Sequence, residues 1–167
     1  AAVLGLEDEQ VRLICEEVES QNADAIVSPA NFNAVGQIVI AGNEVGVDKA
    51  VEHATALGKR AVPLNVSVPS HCRLMQPASD KLAAEFANVT CNAPTIPVIQ
   101  NRHARVEADI DAVKQALIEQ LSLPVLWSAT ENRLADKHIK LQIECGSGNV
   151  LTNLAKRQAQ KVPALAT

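Results

Sequence analysis

Gln37-Ile38-Val39-Ile40-Ala41-Gly42 is the stretch on which the fold turns. Three consecutive β-branched residues favour extended backbone, and Gly42-Asn43 closes the run, so it reads as a strand. Upstream, Ser28-Pro29-Ala30-Asn31-Phe32-Asn33 reads as a loop by its Ser, Pro and Asn content, and Ala25 to Val27 as a short strand. Val11, Ile14, Cys15 and Val18 recur at i, i+3, i+4 and i+7, one face of a helix, and Ala2 to Leu6 is a short apolar run before it. Downstream, Val47, Ala50, Val51 and Ala54 make a second helical face, with Gly58 at a C-cap position. Ala61 to Val66 reads as the last strand of the set.

The order over residues 1–66 is β-α-β-β-α-β, the ferredoxin-like pattern, which hosts many unrelated functions. Residues 67–167 have another texture. Pro77 to Asn88 reads as a helix, and Pro97 to Asn101 as a short strand. Ile110, Val113, Leu117 and Leu121 mark a helix face that Asp109 caps and Pro124 stops. Ser128 to Lys137 reads as a helix and Ile139 to Glu144 as a strand running into Gly146-Ser147-Gly148. Val150 to Gln158 reads as a helix, and the tail from Lys161 as frayed. Strands separated by helices predict a parallel sheet, yet two or three strands are too few to finish one. The segment has the look of half a domain.

Composition narrows the function classes. The 167 residues are 47% apolar and 20% charged, the balance of a folded globular chain. With no Tyr, one Trp and two Phe, the chain lacks the rings on which single-stranded nucleic acid stacks. A net charge of −4 offers no broad basic surface for a phosphate backbone. Cys15, Cys72, Cys91 and Cys145 are widely spaced, so neither a zinc site nor a disulfide framework is expected, and free thiols suit a reducing cytoplasm. No apolar run has the length of a membrane span. The chain opens on Ala1-Ala2-Val3-Leu4-Gly5-Leu6, the texture of a strand entered midway, which suggests residues in front.

The chemistry centres on Ser67-Val68-Pro69-Ser70-His71-Cys72-Arg73-Leu74-Met75. A histidine after a strand-like run, beside a proline, can be held rigidly toward a cleft as a general base; a solvated or structural histidine is the plainer alternative. Cys72 adjoins it, but neighbouring side chains point apart, which argues against a thiolate partner. No G-x-S-x-G elbow occurs in the chain. Gly146-Ser147-Gly148 can cradle an anion at a helix start or simply turn the chain. Asn31, Asn33 and Gln37 offer three amides close together, suited to a carbonyl or amide ligand, or to turn chemistry. Lys59 and Arg60 follow the second helix, where cations complement the helix dipole or meet a phosphate. Gln120 lies near a helix C-terminus, whose free carbonyls can accept a histidine Nδ1–H.

Together these residues resemble one family, the malonyl-CoA:acyl-carrier-protein transacylases of bacterial fatty-acid synthesis. The resemblance is carried by the run Ser28 to Asn33, Gly36 to Gly42, Gly58-Lys59-Arg60-Ala61, Ser67 to Met75 and Asn92-Ala93-Pro94-Thr95. Gln120-Leu121, Pro124-Val125, Trp127 and Gly146 to Leu151 complete it, so that it covers roughly residues 1–158. Ser147 stands where the family often has proline.

The resemblance implies an α/β fold. Residues 1–66 would be a ferredoxin-like small subdomain, and residues 67–167 the C-terminal part of a large α/β-hydrolase-like acyltransferase domain. It implies malonyl transfer from coenzyme A to the phosphopantetheine thiol of acyl carrier protein through a serine acyl-enzyme. His71 matches the general base and Gln120 the residue whose carbonyl orients it. Asn31, Asn33 and Gln37 match a cleft for the pantetheine arm, and Lys59 and Arg60 match cations near its phosphate end. The nucleophilic serine and the malonate-binding arginine would lie in an N-terminal half of the same enzyme. The implied partners are therefore malonyl-CoA, acyl carrier protein and that half, with no cofactor beyond the coenzyme A thioester, no metal, no nucleic acid and no membrane. A non-catalytic ligand- or carrier-protein-binding module, and an acyltransferase fragment of a polyketide synthase, are the alternatives.

Overall fold

The computed structural model describes residues 1–167. Its first part runs β1 (Ala2–Leu4), α1 (Asp8–Gln21), β2 (Val27–Ala34), β3 (Gln37–Gly42), α2 (Glu44–Ala56) and β4 (Arg60–Val62). The four strands form one antiparallel sheet in the order β2-β3-β1-β4. Val11, Ile14, Cys15 and Val18 of α1 are buried as their spacing predicts, and they pack with Val3, Phe32, Ile38 and Ile40 of the sheet. Alternation then puts the remaining sheet residues on the opposite face. Register pairs Asn31 with Val39 and Val39 with Ala2 on that face, and Gln37 with Leu4 and Leu4 with Arg60.

The start of α2 is built by close approach. Asn43 caps the helix by accepting from Gly46 N–H, also accepts from Ile26 N–H, and donates to Asp24 O. A Cβ on Gly42 or Gly46 would lie 1.8 or 2.4 Å from the Ile26 carbonyl oxygen, so only glycine fits at either position.

Two expectations fail here. Ser28 to Asn33 is not a loop; it belongs to the eight-residue strand β2. Register shifts at Pro29–Asn31 and Phe32–Ala34 absorb the proline, and the Asn residues lie on the face away from the helices. The last strand ends at Val62 rather than Val66, because Pro63 has no N–H to extend the ladder.

The second part holds α3 (Gln76–Phe86), β5 (Ile99–Gln100), β6 (Arg105–Val106), α4 (Ile110–Glu119), α5 (Trp127–Asp136), β7 (Gln142–Glu144), α6 (Val150–Ala155) and β8 (Ala164–Ala166). The expected parallel sheet is reduced to one parallel pair, β7 with β8, while β5 and β6 form a small antiparallel hairpin. The tail is not frayed: β8 lies in it and Val162 is buried. The last helix stops at Ala155, and the next turns carry Arg157 and Gln158 back to the first part. α3 and α4 are tied by Ser79 Oγ, which donates to Ile118 O, and by Lys114 Nζ, which donates to the carbonyls of Phe86, the last residue of α3, and of Val89 just after it.

The two parts meet along β2. Val125 makes a parallel bridge with Asn31: Phe32 N–H donates to Val125 O and Val125 N–H to Ala30 O, both at 2.9 Å. No helix of the chain is long and apolar enough to cross a membrane.

Candidate active site

His71 does not sit at a strand end. It follows β4 by a loop of eight residues that ends in a tight turn. Cys72 closes the turn, its thiol 3.2 Å from Pro69 O and its side chain buried. Burial pushes that thiol above its ordinary range, so it stays neutral at physiological pH and is a poor nucleophile. The peptide N–H of His71 donates to Leu121 O at 3.0 Å, and the ring Nδ1 lies 2.5 Å from Gln120 O. Gln120 is the C-cap of α4, where backbone carbonyls have no partner inside the helix. Asp109 sets the start of that helix by accepting from Asp111 N–H.

A carbonyl can only accept, so the Gln120 contact fixes the ring proton on Nδ1. The lone pair of Nε2 is then free, and no group of the chain bonds to it. This is the geometry of a general base oriented by a backbone carbonyl.

Beside this turn lies a cleft of about 760 Å³, whose wall includes Ala30, Asn31, Gly42, Val66 and Ser70. Asn31 thus faces the same cleft as the residue before His71, and Val125 pairs with Asn31 only five residues after Gln120. The other predicted positions lie elsewhere. The Gln37 side chain accepts from Arg157 Nη1, and the Asn33 carbonyl accepts from Gln158 Nε2 at 2.9 Å. Arg60 is exposed; two strand spacings separate it from Gln37, about 10 Å. Lys59 is exposed just before β4. None of these four lines the cleft.

Gly146-Ser147-Gly148 is a turn, and the anion alternative for it fails. The Glu144 carboxylate already accepts from Leu151 N–H and Thr152 N–H at the start of α6. Those bonds hold Glu144 below the usual carboxylate range. No three His, Cys, Asp or Glu side chains gather in a metal-binding arrangement.

Sequence reading missed two contributors: Val125, whose backbone joins the site to β2, and Arg73, which reaches Glu19 on α1. Neither carries a local signal, since each contact joins residues more than fifty positions apart.

No protein-family model matches the chain. The malonyl CoA-acyl carrier protein transacylase of Escherichia coli strain K12 is 46% identical over 167 residues, which are 99% of this chain and 53% of that protein. The crystal structure of the corresponding transacylase from Xanthomonas oryzae pv. oryzae superposes with a TM-score of 0.92 at 44% identity, covering 99% of this chain and 52% of that one. A malonyl-transacylase solved in complex with a type II polyketide-synthase acyl-carrier protein gives a TM-score of 0.94 at 40% identity, covering 99% and 53%. The chain spans about half the length of the curated relatives it matches. Through nearly all of its own residues, the chain is homologous to the malonyl CoA-acyl carrier protein transacylases.

Proposed function

We propose that this chain is the general-base side of a malonyl-CoA:acyl-carrier-protein transacylase of fatty-acid synthesis. One observation carries it: the His71 ring is held through Nδ1 by the Gln120 carbonyl, leaving Nε2 free to take a proton. The chain contains no G-x-S-x-G sequence, so the nucleophilic serine comes from a segment outside it. His71 Nε2 accepts the serine proton as the hydroxyl attacks the malonyl thioester, and returns it to the departing coenzyme A thiolate. In the second half-reaction Nε2 takes the proton of the carrier protein's phosphopantetheine thiol, which attacks the acyl-enzyme. The proton then returns to the serine.

Asn31, on the cleft wall, hydrogen-bonds the amide-rich pantetheine arm. Asn33 and Gln37 serve the same arm beyond the cleft wall, and Lys59 and Arg60 its phosphate end, where Arg60 shares the open sheet face with Gln37. Residues 1–66 form a ferredoxin-like subdomain, supported by the antiparallel order β2-β3-β1-β4, and residues 67–167 belong to an α/β-hydrolase-like acyltransferase domain. The setting is the cytoplasm, and the reaction uses no cofactor beyond the coenzyme A thioester.

The test is His71→Ala in the complete transacylase. Malonyl transfer should fall by about a hundredfold or more, the usual scale for a general base. Turnover near that of the unaltered enzyme would remove His71 from the chemistry.

A further inference from the structure

We propose that Arg73 is a positioning residue for His71, acting through a two-pronged ion pair with Glu19 on α1. The proposal rests on the general-base reading of His71. It concerns what keeps that ring in place.

His71 has φ of +64°, in the left-handed region that disfavours a side chain with a Cβ. A residue holds such a conformation only where its surroundings restrain it from more than one side. On one side the restraint is α4: Leu121 O accepts the His71 peptide N–H, and Gln120 O holds the ring. On the other side it is Arg73, two residues on. Its Nη1 donates to Glu19 Oε2 and its Nη2 lies against Glu19 Oε1, both at 3.1 Å. The planar guanidinium thus engages both carboxylate oxygens, a geometry a lysine ammonium cannot reproduce.

Glu19 is itself anchored. Its Oε1 also accepts from the peptide N–H of Val27 at 2.8 Å, the first residue of β2. Farther along, the same strand carries Asn31 and pairs with Val125. One carboxylate therefore joins α1, the strand that presents Asn31 and the turn that presents His71. The hydrogen bonds of His71 itself lead only to the end of α4. The Arg73–Glu19 pair ties its turn to α1, in the helical layer of the first part.

The Arg73 side chain is 60% exposed and that of Glu19 26%, so the pair is worth little in bulk stability and is screened by salt. Its effect is local, on the orientation of the ring. The experiment is histidine ring nitrogen NMR on the 167-residue chain, at a pH where the ring is neutral. It reads the ratio of the Nδ1–H to the Nε2–H tautomer of His71, with amide spectra to verify the fold.

In Arg73→Ala and in Glu19→Gln that ratio should fall by about threefold, the scale an exposed pair supports. Arg73→Lys should fall less. Raising salt to about 1 M, where the screening length is near 3 Å, should move the unaltered chain the same way and leave Arg73→Ala unmoved. A ratio and a salt response unchanged in both folded variants would overturn the proposal. Should Arg73→Ala lose the fold, Glu19→Gln and the salt response of the unaltered chain decide. Failure here is separable from failure of the proposed function, because the tautomer is read without nucleophile or substrate.

Discussion

Residues 1–62 and residues 63–167 are stabilised in different ways. The first region closes a core of fourteen buried residues, all between Ala1 and Ala54, over one face of a four-stranded sheet. All of the chain's buried polar residues lie in the second region: Ser79, Gln100, Ser122, Thr130, Glu131, Thr152 and Gln158. There Ile143 and Leu165 of the parallel pair, with Ile96 and Val150, stand more than half exposed. The first region is held by non-directional burial, which follows periodicity. The second buries apolar side chains too, Val113, Val125 and Leu154 among them, and adds hydrogen bonds between distant pairs such as Ser79 with Ile118 and Gln158 with Asn33, which periodicity does not reveal.

Phe32→Ala should break this contrast most strongly. Phe32 is the largest fully buried side chain, and Arg12 stacks 4.5 Å from its ring centroid. Its truncation should cost about 3–5 kcal/mol in urea denaturation. A loss under about 1 kcal/mol would mean that the first region does not close its own core.

Glu131→Gln should come next, through pH. Glu131 is fully buried on α5, accepts from Gln142 Nε2 at 2.7 Å through one oxygen, and has no partner for the other. Burial raises its carboxyl above the ordinary value. A raised carboxyl binds a proton in the folded chain that the unfolded chain has released. Its stabilising contribution is whole below pH 4.5 and is lost as pH rises through the folded-state value. The substitution should flatten this fall, by at most about 1.4 kcal/mol per pH unit. An identical pH profile in the variant would show that Glu131 reaches water.

Ile143→Ala should have the smallest effect, within about 0.5 kcal/mol, because the side chain is 59% exposed on a three-residue strand. A larger loss would show that the β7–β8 pair is covered in solution, and would narrow the difference between the two regions.

The same difference marks what could be read in advance. The α1 face of Val11, Ile14, Cys15 and Val18 was legible because one buried stripe suffices to declare a helix. Asp109 was legible as a cap for the same local reason. β2 was misread because Pro29 and the two asparagines carry the composition of a loop, while its strand identity comes from bulged pairing with β3 and from Val125. At the site, Gln120 was legible as a helix-end residue whose free carbonyl suits a histidine Nδ1–H, its match to His71 came from the resemblance, and the distance between them belongs to the fold. The cleft gathers Asn31 beside Ser70 but leaves Asn33, Gln37, Lys59 and Arg60 outside it, a division no spacing along the chain foretells.

Sequence alone determined the helix faces, the order of the first six elements and the types of group available for chemistry, because these depend on neighbours a few positions apart. Tertiary structure decided which carbonyl steers the His71 ring, which carboxylate grips Arg73 and which strand accepts Val125. Those partners lie 49, 54 and 94 positions apart, and a directional bond between such distant groups exists only once packing has brought them within about 3 Å.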